Sequence, residues 1–233
     1  MNNEEKTEEL TFFEQWSIYQ KIIKNNYMFH TEIHSIVRQE ISHINDISIL
    51  DLGCGDSYVL MNSIGKKQRV NYLGIDTSEM ALQSSKKNLG QCTGELKHIK
   101  GDLLIELQKL TPSFDVIISG YSLHHLSTKD KQLFFSLVST ILSKNGVLIF
   151  YDIESNAGET QTDYNNRACA NYQKNWVQLN DNEIKGVVNH VKQNDLPENE
   201  SFYLKNMQDN GFVNTKKAFT DNNKLFSLYI ARK

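Results

Sequence analysis

The sequence predicts an α/β fold, with a mostly parallel sheet and helices on both of its faces. Three observations carry this. Short apolar runs recur at a regular interval: "ISILDL", "VNYLGID", "ELKHIKG", "FDVIISG" and "GVLIFYD". Segments of helical period lie between them, and strands that alternate with helices imply parallel pairing. Two last runs, "FVNTKKAF" and "KLFSLYIA", are joined only by "TDNN". A turn that short requires antiparallel pairing, so a hairpin closes the sheet.

The other elements follow in chain order. Residues 9–44 have helical spacing with a break near "KNNY". The segment "STKDKQLFFSLVSTILSKNG" is the clearest helix. Ser127 stands three residues before Asp130, as a capping box requires. Leu133, Phe134, Leu137, Val138, Ile141 and Leu142 form its apolar face. Asn145-Gly146 is predicted to stop it in a left-handed turn. Residues 153–196 exceed a normal crossover and are rich in Tyr, Asn and Trp. They are predicted as a helical insertion over the sheet's carboxyl edge. "ESFYLKNMQDNGF" is predicted as a helix ending at Gly211.

A chain of 233 residues suits one α/β domain, and 39% apolar residues suffice for its core. The expected organisation is one domain over 1–233. It comprises a helical cover (1–44), a core (45–152), an insertion (153–196), and a closing helix and hairpin (197–233). The net charge of −3, with interspersed signs, gives no field that would attract nucleic acid. The start, "MNNEEKTEEL", lacks the basic and apolar regions of a signal peptide, and no run approaches a membrane span. Cys54, Cys92 and Cys169 are odd in number and widely spaced. They are expected to be reduced thiols of a cytoplasmic protein, forming neither a disulfide frame nor a zinc site. No metal is expected.

Ligands of open α/β sheets bind outside the carboxyl ends of the strands. Four signals fall there. "DLGCG" allows close backbone approach and precedes a helix N-terminus. Asp76 closes "YLGID", 21 residues after Gly55, close to the ~20 expected of a ribose-binding acid. Asp102 follows the third strand, and "SGYSLHHL" the fourth. Structural readings stand beside these. Asp51 and Asp115 would serve as strand-end caps, Asp76 as a helix N-cap, and Cys54 as a small loop residue. His98 is expected to be structural, and His190 has no partner visible in sequence.

On Asp51, Gly53, Gly55, Asp76, Asp102 and "FDVIISGYSLHHL", the chain resembles the class I S-adenosylmethionine-dependent methyltransferases. Within them it resembles the small-molecule, type 12-like bacterial group. The likeness covers roughly 45–152 and 198–233. It implies a Rossmann-like sheet of seven strands, order 3-2-1-4-5-7-6, with the last strand antiparallel. Ser57 departs from the pattern, because many members have a third glycine there. The resemblance implies that Asp51 orients the amino-acid end of adenosylmethionine. Gly53, Cys54 and Gly55 would let methionine and ribose lie close, and Asp76, followed by Thr77, would take the ribose hydroxyls. Asp102 and Leu103 would meet the adenine, and Ser119 and Gly120 the methionine arm. Adenosylhomocysteine would be the product.

Methyl transfer to an unprotonated acceptor needs alignment more than a base, so a dedicated catalytic residue need not exist. His124, His125 and His30 are the candidates if one does. The chain has neither the Asn/Asp-Pro-Pro-Tyr/Phe motif of adenine methylases nor paired cysteines for cytosine chemistry, so DNA is not expected. Tyr27, His30, Asp152, Tyr164 and Arg167 are expected to line an aromatic pocket for a small molecule, with Arg167 facing an acidic group of the acceptor. Two further readings stay open. The run 175–212 also resembles the carboxy-S-adenosylmethionine synthases of wobble-uridine modification. A silent cofactor-binding protein is the other. Either a monomer or a homodimer fits.

Overall fold

The computed structural model describes residues 12–65, 69–111 and 114–233. The polar start of the chain lies outside them. Helices α1 (Phe12–Lys24) and α2 (His30–Ile41) are separated at the predicted break. There Asn26 and Phe29 adopt left-handed backbone angles, and the Asn26 side chain accepts from the Thr31 N–H.

The strands are β1 (Asp46–Leu52), β2 (Arg69–Asp76), β3 (Leu96–Lys100), β4 (Phe114–Gly120) and β5 (Leu142–Ser155), then β6 (Glu198–Asn199), β7 (Asn214–Thr220) and β8 (Phe226–Arg232). They form one sheet in the order β3-β2-β1-β4-β5-β8-β7. β1 to β5 are parallel, while β8 runs antiparallel to both β5 and β7. The main path is the expected one. The difference is β6, a two-residue strand parallel to the end of β5, which shifts the numbering of the closing hairpin. It exists because β5 continues past Tyr151, where pairing with β4 stops.

Side chains on a strand alternate between faces. Ile47 and Ile49, Val116 and Ile118, and Val147 and Ile149 pack on one face, toward α2, α3 (Tyr58–Ser63) and α4 (Glu79–Asn88). Leu50, Leu52, Ile117, Leu148 and Phe150 pack on the other, toward α5 (Leu103–Leu107), α6 (Thr128–Ile141) and α9 (Glu200–Asp209). A third cluster joins α1 to α7 (Gln161–Asn175) and α8 (Asp181–Asn194), the two helices of the predicted insertion. Asp115 does act as a cap, with Oδ2 accepting the Ser48 N–H across the β1–β4 pair at 2.9 Å. His98 is structural, its Nε2 lying 2.8 Å from the Ser85 hydroxyl.

Helix α6 is capped as expected, with the Ser127 hydroxyl accepting from the Asp130 N–H. Its buried face is rotated from the predicted one. Phe135 is buried in place of Leu133, which is 40% exposed. The predicted stop is also displaced. Leu142 leaves the helix in an extended conformation, and "SKNG" becomes the start of β5. No left-handed residue is needed, because the strand follows the helix directly. This face makes a prediction. Phe135→Ala should destabilise the protein by about 3–5 kcal/mol, since the ring stacks edge-on to Phe134 and Phe150 in a close-packed core. Leu133→Ala should change stability by no more than about 0.5 kcal/mol. Urea denaturation of the two variants checks this, and equal losses would contradict the observed face.

Candidate functional site

The carboxyl ends of β1, β2, β3 and β4 converge on a cavity of about 600 Å³. After β1 the chain turns sharply. Gly53 and Gly55 take φ values of 68° and 53°, which a side chain would strain. A Cβ on Gly53 would lie 2.5 Å from Ser122 Cβ, so this glycine also admits the neighbouring loop. A Cβ on Gly55 would project into the cavity, its nearest neighbour the Tyr19 hydroxyl at 3.9 Å. Ser57 is left-handed too, with φ 57°. Its strain is held by hydrogen bonds with the Tyr72 and Ser85 hydroxyls, at 2.8 and 2.7 Å. Thus a serine occupies the position where a third glycine was expected.

Three acids stand around this loop in different environments. Asp76 lines the cavity, its two oxygens accepting the N–H groups of Gly55 and Ser78, each at 2.8 Å. Ser78, not Asp76, is the N-cap of α4. Asp102 lines the cavity at the start of α5. Its Oδ1 accepts from Leu104 and Ile105, which fixes the carboxylate beside Gly101 and Leu103. Asp51 is buried, and the Tyr72 hydroxyl points to its Oδ2 at 3.4 Å. Burial, with Asp76 and Asp56 nearby, pushes its carboxyl up to about 7 against the Tyr72 bond.

Cys54, Thr77 and Gly120 also line the cavity. A Cβ on Gly120 would run into the Tyr151 ring at 2.1 Å, so that ring can close the cavity floor only beside a glycine. Ser119 does not line it. Its side chain points to the opposite face of β4 from Gly120 and bonds the Ser122 hydroxyl. Burial pushes the Cys54 thiol well up, as for an inert loop residue. The cavity wall also contains residues that the sequence did not single out: Trp16, Tyr19, Asp56, Ser122 and Tyr151. Tyr19 bridges the cover and the loop, its hydroxyl donating to Asp56 Oδ1 at 3.1 Å.

A second cavity of about 710 Å³ adjoins the first, and Tyr19, Tyr121 and His125 line both. The second is walled by α1, α7 and α8, with Tyr172 and Trp176 on one side and His190 and Asp195 on another. The expected acceptor residues divide. His30 lines the first cavity, where burial and then His34 lower its imidazole to about 4. Tyr27 stacks on Trp176 behind the second cavity and accepts the Gln178 N–H. Tyr164 is fully buried in the cluster under α7. Arg167 faces neither cavity. It forms two 2.7 Å bonds with Glu159 and bonds the carbonyls of Asn223 and Lys224, pinning α7 to the closing hairpin. It is a structural clamp and does not face an acceptor, contrary to the sequence expectation.

Asp152 also has a structural task. Its carboxylate accepts the His124 and Ile153 N–H groups and bonds His124 Nδ1 at 2.5 Å. Burial alone would raise its carboxyl, but His124 holds it below the usual range. Burial likewise opposes charge on His124, and Asp152 overcomes it and raises the imidazole. His124 is therefore committed to Asp152 through Nδ1, while His125 faces both cavities.

Comparison with known proteins agrees with this geometry. A protein-family model described as "Methyltransferase domain" matches residues 50–148. A protein of Anoxybacillus flavithermus described as an uncharacterized methyltransferase is 31% identical over 104 residues, which are 45% of this chain and 46% of that one. The chain thus spans about half the length of that relative. Among solved structures, magnesium protoporphyrin IX methyltransferase from Synechocystis, with bound S-adenosylhomocysteine, superposes with a TM-score of 0.62 at 18% identity. The match covers 95% of this chain and 93% of that one. A S-adenosylmethionine-dependent methyltransferase from Archaeoglobus fulgidus gives 0.61 at 12% identity, over 91% and 99% of the two chains. The glycine turn, the acids at the end of β2 and after β3, and the hairpin-closed sheet resemble those of the class I S-adenosylmethionine-dependent methyltransferases, and residues 50–148 match the methyltransferase domain.

Proposed function

We propose that the protein transfers a methyl group from S-adenosylmethionine to a small-molecule acceptor, as a cytoplasmic enzyme that does not act on DNA. The observation that carries this is the pair of adjoining cavities. One is ringed by Gly53, Gly55, Asp76 and Asp102, and the other is aromatic and walled by the cover helices. Their volumes suit a cofactor and an acceptor of ordinary size. The cofactor supplies a methyl group already activated on a sulfonium.

The chain's own part is to bind and align. Asp76 takes the ribose hydroxyls with the lone pairs that Gly55 and Ser78 leave free. Asp102 accepts from the adenine amino group, and the first-turn N–H of Leu103 meets the ring. Asp51 faces the cationic amino-acid end. Tyr19, Tyr121 and His125, which line both cavities, would stand between the cofactor and the acceptor. His30 stays neutral at physiological pH because burial holds it near 4, so it is a weak base. This favours an acceptor whose attacking atom needs no strong base. The direct test is incubation with adenosylmethionine and cell extract, read by mass spectrometry. Adenosylhomocysteine with a methylated small molecule supports the reading. Carboxylated cofactor, or unchanged cofactor, overturns it.

Asp76→Ala should weaken adenosylmethionine binding by about 2–4 kcal/mol, since two charge-assisted bonds are lost. Asp102→Ala should cost less, about 1–2 kcal/mol, for one bond to a neutral amine. Calorimetric titration of the folded variants decides, and the reverse order would exchange the two assignments. Cofactor affinity should also depend on pH through Asp51. A cationic ligand favours the ionised carboxyl, so below about pH 7 binding must expel a proton. Affinity then rises with pH by up to about tenfold per unit and levels off above 7. Asp51→Asn should flatten that slope; a slope unchanged in the variant would assign it to another group. Lastly, hydrogen exchange in residues 15–32 and 153–178 should slow when adenosylhomocysteine is added, because Tyr19 ties the cover to the loop. Exchange indifferent to the ligand would exclude closure of the cover.

A further inference from the structure

We propose that His124, His125 and Asp195 form a binding site for a divalent transition-metal ion of the zinc class, on the wall of the second cavity. One ligand atom from each of the three lies within 4.8 Å of the others. Asp195 is 4% exposed, and its Oδ1 has no hydrogen-bond donor. A buried carboxylate oxygen left without a donor is costly, and a bound cation removes that cost. The same oxygen lies 3.8 Å from His124 Nε2. Bonds of about 2.0–2.2 Å at a tetrahedral angle place two ligands about 3.4 Å apart, so a shift of a few tenths of an ångström suffices.

The surrounding contacts hold these groups in ligating orientation. Asp152 bonds His124 Nδ1, which fixes the ring and turns the Nε2 lone pair toward Asp195. A carboxylate behind a ligating histidine is the usual outer partner of a metal site. The two ligand-bearing segments are also joined directly: the Leu196 N–H donates to the His124 carbonyl at 2.9 Å. The Asp195 carbonyl accepts from Gln161 Nε2 at 2.8 Å. Two imidazoles and one carboxylate favour zinc-like ions over calcium or magnesium, which prefer oxygen alone. All three residues line the second cavity, as does His190, whose Nε2 lies 3.9 Å from Asp195 Oδ1. If the second cavity is the acceptor site, a donor atom of the acceptor would complete the coordination there. Ion binding itself does not depend on that reading. The sequence expectation of no metal rested on cysteine spacing, and these ligands are not cysteines.

The test is titration of the chelator-stripped full chain with zinc chloride and, separately, cobalt chloride. The expected result is saturable binding of one equivalent, with visible cobalt bands and no thiolate charge-transfer band. Asp195→Asn and His125→Ala should each weaken binding by more than the roughly 10–100-fold that loss of an outer partner costs. Asp152→Asn should fall within that range. His125 is surface-exposed and Asp195→Asn is isosteric, so circular dichroism and melting should show both folded. The proposal is overturned by absence of saturable binding, by unchanged affinity in both ligand variants, or by a thiolate band assigning the ion to a cysteine. Each of these readouts is independent of methyl transfer.

Discussion

The carboxylate of Asp76 is the contact on which the candidate cofactor site depends. A parallel sheet ends with backbone N–H groups that have no next strand to meet, and the loops beyond must satisfy them. Asp76 does so for two loops at once. One oxygen holds Gly55 in the turn after β1, and the other holds Ser78 at the start of α4. The glycine turn is thereby fixed in left-handed angles with its open side toward the cavity. The acid that shapes the loop is also the one proposed to take the ribose hydroxyls.

Asp152 performs the same task one layer further along. β5 outruns β4, and the overhang carries Asp152 beyond the plane of the other strand ends. Its three donors come from its own strand and from the short turn after β4. The overhang also supplies Glu154, which accepts from the Tyr229 hydroxyl and pairs with Lys217 at 2.7 Å. These buried carboxylates are stable because each is met by donors, and a partner lost would leave a buried charge. The second cavity therefore has one rigid wall, β5 with the turn after β4. The facing wall belongs to α1, α7 and α8, linked mainly by side chains such as Lys21 to Glu183 and Tyr27 on Trp176.

The division between what the sequence conveyed and what it did not follows from the range of the interactions. Strands β1 to β5 were legible because each is marked by a short apolar run, and a run is a local signal. The glycine turn and the acids after β2 and β3 were legible because chain order alone places them at one sheet edge. The α6 face was misjudged by one step, since Leu133 and Phe135 both fit a 3.6 period and only packing against Phe150 selects the latter. β6 was not legible, because two residues have no period and their pairing exists only where β5 overruns. Arg167 was misjudged for a similar reason. Its partners are Glu159 nearby and the carbonyls of the hairpin turn more than fifty residues on.

The histidine cluster shows most clearly where local reading stops. His124 and His125 lie after β4, and His190 and Asp195 at the end of α8, some seventy residues later. No spacing rule links them, because the insertion's path decides their meeting. Two independent costs are nonetheless met at that one point. The His124 ring is buried with Nδ1 committed to Asp152, and the Asp195 oxygen is buried with no donor at all. A helix C-terminus is a poor place for a buried carboxylate, since the local dipole is negative there. Asp195 caps α8 in that unfavourable place. A cation between the two residues, as proposed, would offset the dipole and the missing donor together.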